Sequence, residues 1–148
     1  NFGKSGRYYY YIVRGIHTSE VKPNRIRKSL AAERTFSKNL SSEVFMLEKL
    51  EHIAEEASKR LSKSNVAGKT VTLKIKYSDF SLQTRSKTLP YFINDKSVIL
   101  ETIKDLLYQE KLSNSVRLLG ISLSNLNTEK KPKNQDKKSV SVQLKFEF

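Results

Sequence analysis

From residue 29 onward the apolar positions change period in a regular order, and the order defines a fold. Ser29 to Phe36 reads as a first strand. Over residues 43–63, Leu47, Leu50, Ala54, Ala57 and Leu61 recur at helical spacing, with Ser41 or Ser42 placed to cap the start and Glu43 in the first turn. Asn65 and Gly68 are expected to stop this helix. Thr70 to Tyr77 alternates strictly: Val71, Leu73, Ile75 and Tyr77 lie on one side, Thr70, Thr72, Lys74 and Lys76 on the other. Ser78 and Asp79 supply turn chemistry, and Phe80 to Leu89 is a second extended run ended by Pro90. Asn94 or Asp95 caps a second helix reaching about Lys111, with Ile99, Ile103, Leu106 and Leu107 on its buried stripe; Val116 to Leu123 is the last strand. The order β-α-β-β-α-β predicts an α+β fold, a four-stranded, mostly antiparallel sheet with two helices on one face and the other face open.

The flanks read differently. Residues 1–16 are aromatic and glycine-punctuated; the run Tyr8 to Val13 suits a short helix closed by Gly15 or, equally, a strand. Residues 17–28 have linker composition around Pro23, with a basic half from Lys22 to Lys28 that can follow a phosphate backbone or serve as a solvated tether. Residues 127–138 form a lysine-rich spacer around Pro132, and 139–148 alternate again, with Val140, Val142, Leu144, Phe146 and Phe148 on one side.

Composition narrows the function. Lys and Arg total 28 against 15 Asp and Glu, a net charge of +13 that favours a polyanionic partner. The absence of cysteine excludes disulfides, thiol chemistry and a Cys-based zinc site, and two histidines, His17 and His52, are too few for a His-rich metal centre. No apolar run is long enough to span a membrane and no charged-then-apolar leader is present, so a cytoplasmic, monomeric domain is expected. The start at Asn1 rather than methionine suggests an excised fragment or processed product.

The candidate chemistry is binding. Lys74 and Lys76 on one strand, with Arg85 and Lys87 on its hairpin neighbour and Gln83 in the same alternating set, are expected to converge on the open sheet face, extended by Arg34 and Arg117. Like charges side by side ask for a polyanion, although a strand face kept soluble by lysine is the plain alternative. Contacts from such a surface go mainly to phosphates, with a salt slope of roughly −0.9 per neutralised phosphate on B-form DNA. Catalytic signals are wanting. Gly68-Lys69-Thr70 resembles the end of a P-loop, but Lys63 stands where the earlier glycine is required. Glu48, Glu51, Glu55 and Glu56 read as a solvated helix face, Asp79 as a turn residue, and Asn39-Leu40-Ser41 as a chance glycosylation triplet.

Four stretches together resemble the Y-family DNA polymerases, in particular their bacterial members. Phe2 to Arg7 with Tyr10 to Ile16 is similar to the end of a thumb domain. Val21 to Leu30 with Ala32 to Phe36 is similar to the tether and first strand of the little finger. Lys74-Ile75-Lys76-Tyr77-Ser78-Asp79-Phe80 followed by Thr84-Arg85-Ser86 resembles its central hairpin, and Arg117 to Ile121 its last strand. The resemblance implies a thumb remnant (1–16), a basic linker (17–28) and a little finger (29–126) that lays its sheet along template–primer duplex DNA, with Arg25, Arg27, Lys28, Arg34, Lys74, Lys76, Arg85, Ser86, Lys87 and Arg117 as contacts. It further implies a parent enzyme of error-prone translesion synthesis whose Mg²⁺-binding carboxylates lie in a palm absent from this chain, so that this chain carries no catalytic residue, metal or cofactor of its own. The tail from Gln143 is similar to a sliding-clamp-binding peptide, with Gln143, Leu144, Phe146 and Phe148 as anchors, but Glu147 separates the two phenylalanines; an added edge strand is the competing reading. An RNA-binding module of RRM-like topology and a pure interaction domain remain as alternatives. The first needs a glycine–aromatic core on a central strand, which Lys74 to Tyr77 and Gln83 to Ser86 lack.

Overall fold

A computed structural model describes residues 2–130. After a 3₁₀ turn at Gly3–Ser5 come α1 (Gly6–Ile12), β1 (Ser29–Leu40), α2 (Glu43–Lys63), β2 (Gly68–Tyr77), β3 (Leu82–Ile93), α3 (Lys96–Tyr108), β4 (Val116–Leu126) and a 3₁₀ turn at Asn127–Lys130. The four strands form one sheet in the order β1-β4-β2-β3, antiparallel at every pairing. Each of α2 and α3 thus links two strands separated by a third, and the two helices pack on the same side of the sheet and on each other. This is the α+β architecture expected from the alternation of periods.

The core lies between that helical layer and the sheet. On α2, Met46, Leu50, Ile53, Ala57 and Leu61 are buried, a stripe rotated slightly from the expected one, so that Leu47 is only half covered. Leu50, Ile99 and Leu119 are wholly enclosed, and Leu50→Ala at such a site costs about 3 kcal/mol through lost transfer energy and the cavity left behind. Asn65 ends α2 as expected. It stands at φ 51°, its N–H donates to the Ser62 carbonyl, and the Val66 N–H reaches back to Leu61. Gly68 has a different task from the one expected. It already belongs to β2, where an added Cβ would stand 3.0 Å from Leu123 Cβ and from the Ser124 carbonyl oxygen, so strand approach, not helix termination, demands glycine there. The start of α3 is fixed by Asp95, whose Oδ1 accepts from the Ser97 and Val98 N–H groups at 2.7 and 3.4 Å.

The N-terminal aromatic run is a helix, not a strand. Gly15, at φ 71°, closes α1: its N–H donates to Ile12 and the Ile16 N–H to Tyr11, and only a residue tolerant of positive φ permits that pattern. The spacer's first residues are held by the fold. Asn127 N–H donates to the Ala67 carbonyl and Thr128 Oγ1 to the Arg27 carbonyl.

Candidate nucleic-acid interface

On β2 the expected alternation holds, with Val71, Leu73, Ile75 and Tyr77 buried under the helices and Thr70, Thr72, Lys74 and Lys76 on the open face. On β3 it does not. Thr70 lies opposite Thr88, Thr72 opposite Ser86 and Lys74 opposite Thr84, while Arg85 faces Leu73 and Lys87 faces Val71. Cross-strand partners share a face. Arg85 and Lys87 therefore point to the helix side, and the expected convergence of Lys74, Lys76, Arg85 and Lys87 on one surface is overturned. From Gln83 to Thr88 both alternating sets of β3 are polar, and the core-packed Leu89, in phase with Arg85 and Lys87, is offset in the sequence by Leu82 in the other set, so the pattern left open which set faces inward. Ser86 is on the open face, and its hydroxyl pairs with that of Thr72 at 2.9 Å.

The misplaced cations have structural partners. The Arg85 side chain is 5% exposed; its Nη1 donates to the Leu106 and Leu107 carbonyls at 2.8 and 2.7 Å, and Nη2 to Gln83 Oε1. These carbonyls belong to the last turn of α3, where a cation meets both the orphan acceptors and the negative end of the helix dipole. Lys87 pairs with Asp105 of α3 at 2.9 Å, a hydrogen bond that raises its pKa above the ordinary lysine value. Arg34 also lies off the open face, because its partner in the register is Leu119; it pairs with Glu56 of α2 at 2.9 Å. The same carboxylate accepts from Arg60.

What the open face presents is a lattice of small polar groups. Beside β2 it carries Thr84, Ser86 and Thr88 from β3, Gly120, Ser122 and Ser124 from β4, and Ser29, Ala31, Glu33 and Thr35 from β1, with Leu82 and Leu118 flanking Lys76 at one end, following the register. The Thr70 and Thr88 hydroxyls pair at 2.9 Å and Asn125 donates to Thr70 at 2.8 Å. Lys74 reaches across β4 to Glu33 at 2.8 Å. The crossing runs over Gly120, where a Cβ would stand 3.0 Å from Glu33 Cβ and 3.5 Å from Lys74 Cβ. This ion pair neutralises the middle of the face.

One end of the face keeps its charge. Beyond Lys76 the β2–β4 register slips, Lys76 pairing with Leu118 but Tyr77 with Val116, so Arg117 is the extra residue of a bulge. Strict alternation would align Arg117 with buried Leu119 and Ile121; instead it shares the Phe80 ring with open-face Lys76, the two cations standing 4.9 and 5.0 Å from the ring centroid. Re-aiming one side chain is what such irregularities do. Among the described residues neither cation has an acidic partner within ion-pair distance. In the linker Arg25, Arg27 and Lys28 are exposed, and Arg27 is anchored by donating to Ser64 Oγ at 3.0 Å.

The groups dismissed as catalysts are occupied otherwise. Asp79 accepts from the Ser81 hydroxyl and N–H, which hold its carboxyl below the ordinary carboxylate value as the turn reading requires. Glu48, Glu51, Glu55 and Glu56 are ion-paired with Lys49, Lys96, Lys59, Arg34 and Arg60, and no acid or histidine cluster fit to hold a metal occurs among the described residues. Gln143, Leu144, Phe146 and Phe148 lie outside the described residues. The sequence placed Thr70 and Thr72 on this face but gave no sign of the hydroxyl pairs they form with Thr88 and Ser86, and it put Phe80 at the start of a strand rather than in a turn position that favours glycine.

The architecture is that of a helix-backed antiparallel sheet with one face uncovered. The impB/mucB/samB family C-terminal domain matches residues 27–143. DNA polymerase IV 2 of Agrobacterium fabrum is 40% identical over 97% of this chain and 41% of its own length; DNA polymerase IV of Leptospira interrogans is 44% identical over 90% of this chain and 39% of its own. The chain belongs to this family, the C-terminal little finger domain of Y-family DNA polymerases. It spans about two fifths of the length of these curated relatives. Among solved structures, a Y-family DNA polymerase chimera of Dbh and Dpo4 shares the fold at TM-score 0.58 and 22% identity, over 84% of this chain and 36% of that one. A little finger domain of PolIV in complex with the beta-clamp processivity factor shares it at TM-score 0.56 and 19% identity, over 65% and 86%. No helix among the described residues is long and apolar enough to cross a membrane.

Proposed function

We propose that this chain is the DNA-gripping domain of an error-prone translesion polymerase and that it holds the template–primer duplex against its open sheet face. The observation that carries the reading is the uncovered face itself. A surface rich in hydroxyls, with Lys76 and Arg117 free of acids at one end, suits phosphate and sugar contacts that fix position without reading sequence. Lys74 contributes only where the duplex competes with Glu33, and the basic linker, through Arg25, Arg27 and Lys28, follows the backbone beyond the sheet. Arg34, Arg85 and Lys87 are not part of this surface. The central strands offer no aromatic ring to the open face, which removes the support for base stacking of the RRM kind.

In the parent enzyme this domain supplies binding while nucleotidyl transfer, with its Mg²⁺, takes place elsewhere; alone, the chain binds DNA and turns over no substrate. The tail from Gln143 to Phe148 reaches a sliding clamp, a reading supported by its glutamine and spaced large apolar groups and by the fold shared with a clamp-bound relative. The domain's own role is tested by fluorescence anisotropy on duplex DNA, single-stranded DNA and RNA of equal length at several salt concentrations. Preference for duplex DNA, with affinity falling steeply in salt, is expected; equal or tighter binding to single-stranded RNA overturns it.

A further inference from the structure

The β2–β3 hairpin turns through Ser78, Asp79 and Phe80. Phe80 N–H donates to the Tyr77 carbonyl and Tyr77 N–H to the Ser81 carbonyl, both at 3.0 Å. This is a tight turn followed by a left-handed residue, an arrangement in which the last loop position normally belongs to glycine. Here that position is Phe80, at φ 66°. A bulky side chain in this region is a backbone outlier. Its side chain does not offset the strain by burial, for the residue is 60% exposed. Backbone economy would select glycine and core packing gains little from the ring.

What the ring does touch is charge. Lys76 Nζ and the Arg117 guanidinium carbon lie 5.0 and 4.9 Å from its centroid, one cation brought from β2 by alternation and the other from β4 by the bulge. They are also the two cations of the open face that no acid neutralises, whereas Lys74 is held by Glu33. Two like charges gathered on one ring, in front of a hydroxyl-lined face, leave an unfilled demand for an anion. We infer that Phe80 is a positioning residue: it holds Lys76 and Arg117 together so that both engage the same phosphodiester group of the bound duplex. The inference rests on the proposed duplex grip and adds to it the point at which a single phosphate is clamped, and the reason an aromatic occupies a glycine position.

The test is a mutant cycle on the 148-residue chain, read by duplex affinity against salt and by thermal melting. Phe80→Gly, which suits the turn, is expected to melt no lower than the parent chain yet bind duplex about fivefold more weakly, a loss of about 1 kcal/mol, with a flatter salt slope. Phe80→Leu, which keeps apolar bulk without the ring, loses a similar factor, and Phe80→Tyr restores binding. In a Lys76→Met, Arg117→Met background the further change Phe80→Leu is expected to have no effect on binding, because the ring acts through the two cations. If Phe80→Leu weakens binding equally in both backgrounds, or if Phe80→Gly leaves affinity and slope unchanged, the inference is overturned. Failure of the parent chain itself to bind duplex DNA refutes the duplex grip instead, so the two failures are distinct.

Discussion

Strands β2 and β3 are joined by one tight turn and each contains, on that turn's side of the strand, a pair of cations spaced two residues apart, Lys74 and Lys76 on one, Arg85 and Lys87 on the other. Their positions in the sheet turn these pairs to opposite tasks. β2 is central, with Val71, Leu73, Ile75 and Tyr77 buried, so Lys74 and Lys76 are forced to the open side. β3 is an edge strand whose helix-side residues meet the end of α3 rather than the middle of the core; there, cations satisfy helix carbonyls and an aspartate. Within an unbroken stretch of this sheet, a basic residue thus faces the open side or pairs with a helix according to the parity of its register. The identity of the side chain alone does not decide it.

The contrast is broken most sharply at Arg85. Arg85→Leu strands two buried carbonyls at the end of α3 and is expected to cost about 2–4 kcal/mol of stability, measured by urea unfolding, while the folded fraction binds duplex within about twofold of the parent, since no open-face phosphate contact is lost. Glu33→Gln sharpens the comparison from the other side. Releasing Lys74 from its carboxylate is expected to raise duplex affinity about threefold and steepen the salt slope toward one more neutralised phosphate. Lys87→Ala removes an exposed ion pair, and less than about 1 kcal/mol of stability with no change in binding is expected. The smallest effect concerns the α2–α3 contact. Lys96 bonds Glu51 at 2.9 Å; that bond and the lysine's charge lower the Glu51 pKa below its ordinary value of 4.5. A depressed carboxylate stabilises the fold above its unfolded pKa and loses that contribution as pH falls through the folded one. The stability difference between the parent chain and Lys96→Met is therefore expected at neutral pH and absent well below pH 4.5, a comparison made by thermal melting across that range.

Much of this was legible in the sequence because burial leaves periodic marks. The α2 boundaries and the strict alternation of β2 follow from residue periods that admit one outcome, whereas the Asp95 cap and the glycine-closed α1 were each one of two readings that the local residues left open. The face of β3 was not legible, because Gln83, Arg85 and Lys87 on one side and Thr84, Ser86 and Thr88 on the other are equally polar, and only the pairing with β2 selects between them. Arg117 was placed near the right surface without its reason, since a bulge interrupts alternation without a marker in composition. The neutralisation of Lys74 by Glu33 depends on β1 and β2 flanking β4, a long-range fact that no local pattern carries.

The central claim is that the open sheet face, and not the helix-backed one, holds DNA. It is tested most directly by comparing two double charge reversals, Lys76→Glu with Arg117→Glu against Arg34→Glu with Lys87→Glu, which change net charge equally. Titration with duplex DNA across a salt series is expected to show at least a tenfold loss and a flatter slope for the first pair. The second pair is expected to stay within about threefold of the parent chain, the residue of a long-range field that salt screens. Equal losses for the two pairs, or the larger loss for the second, would contradict the account.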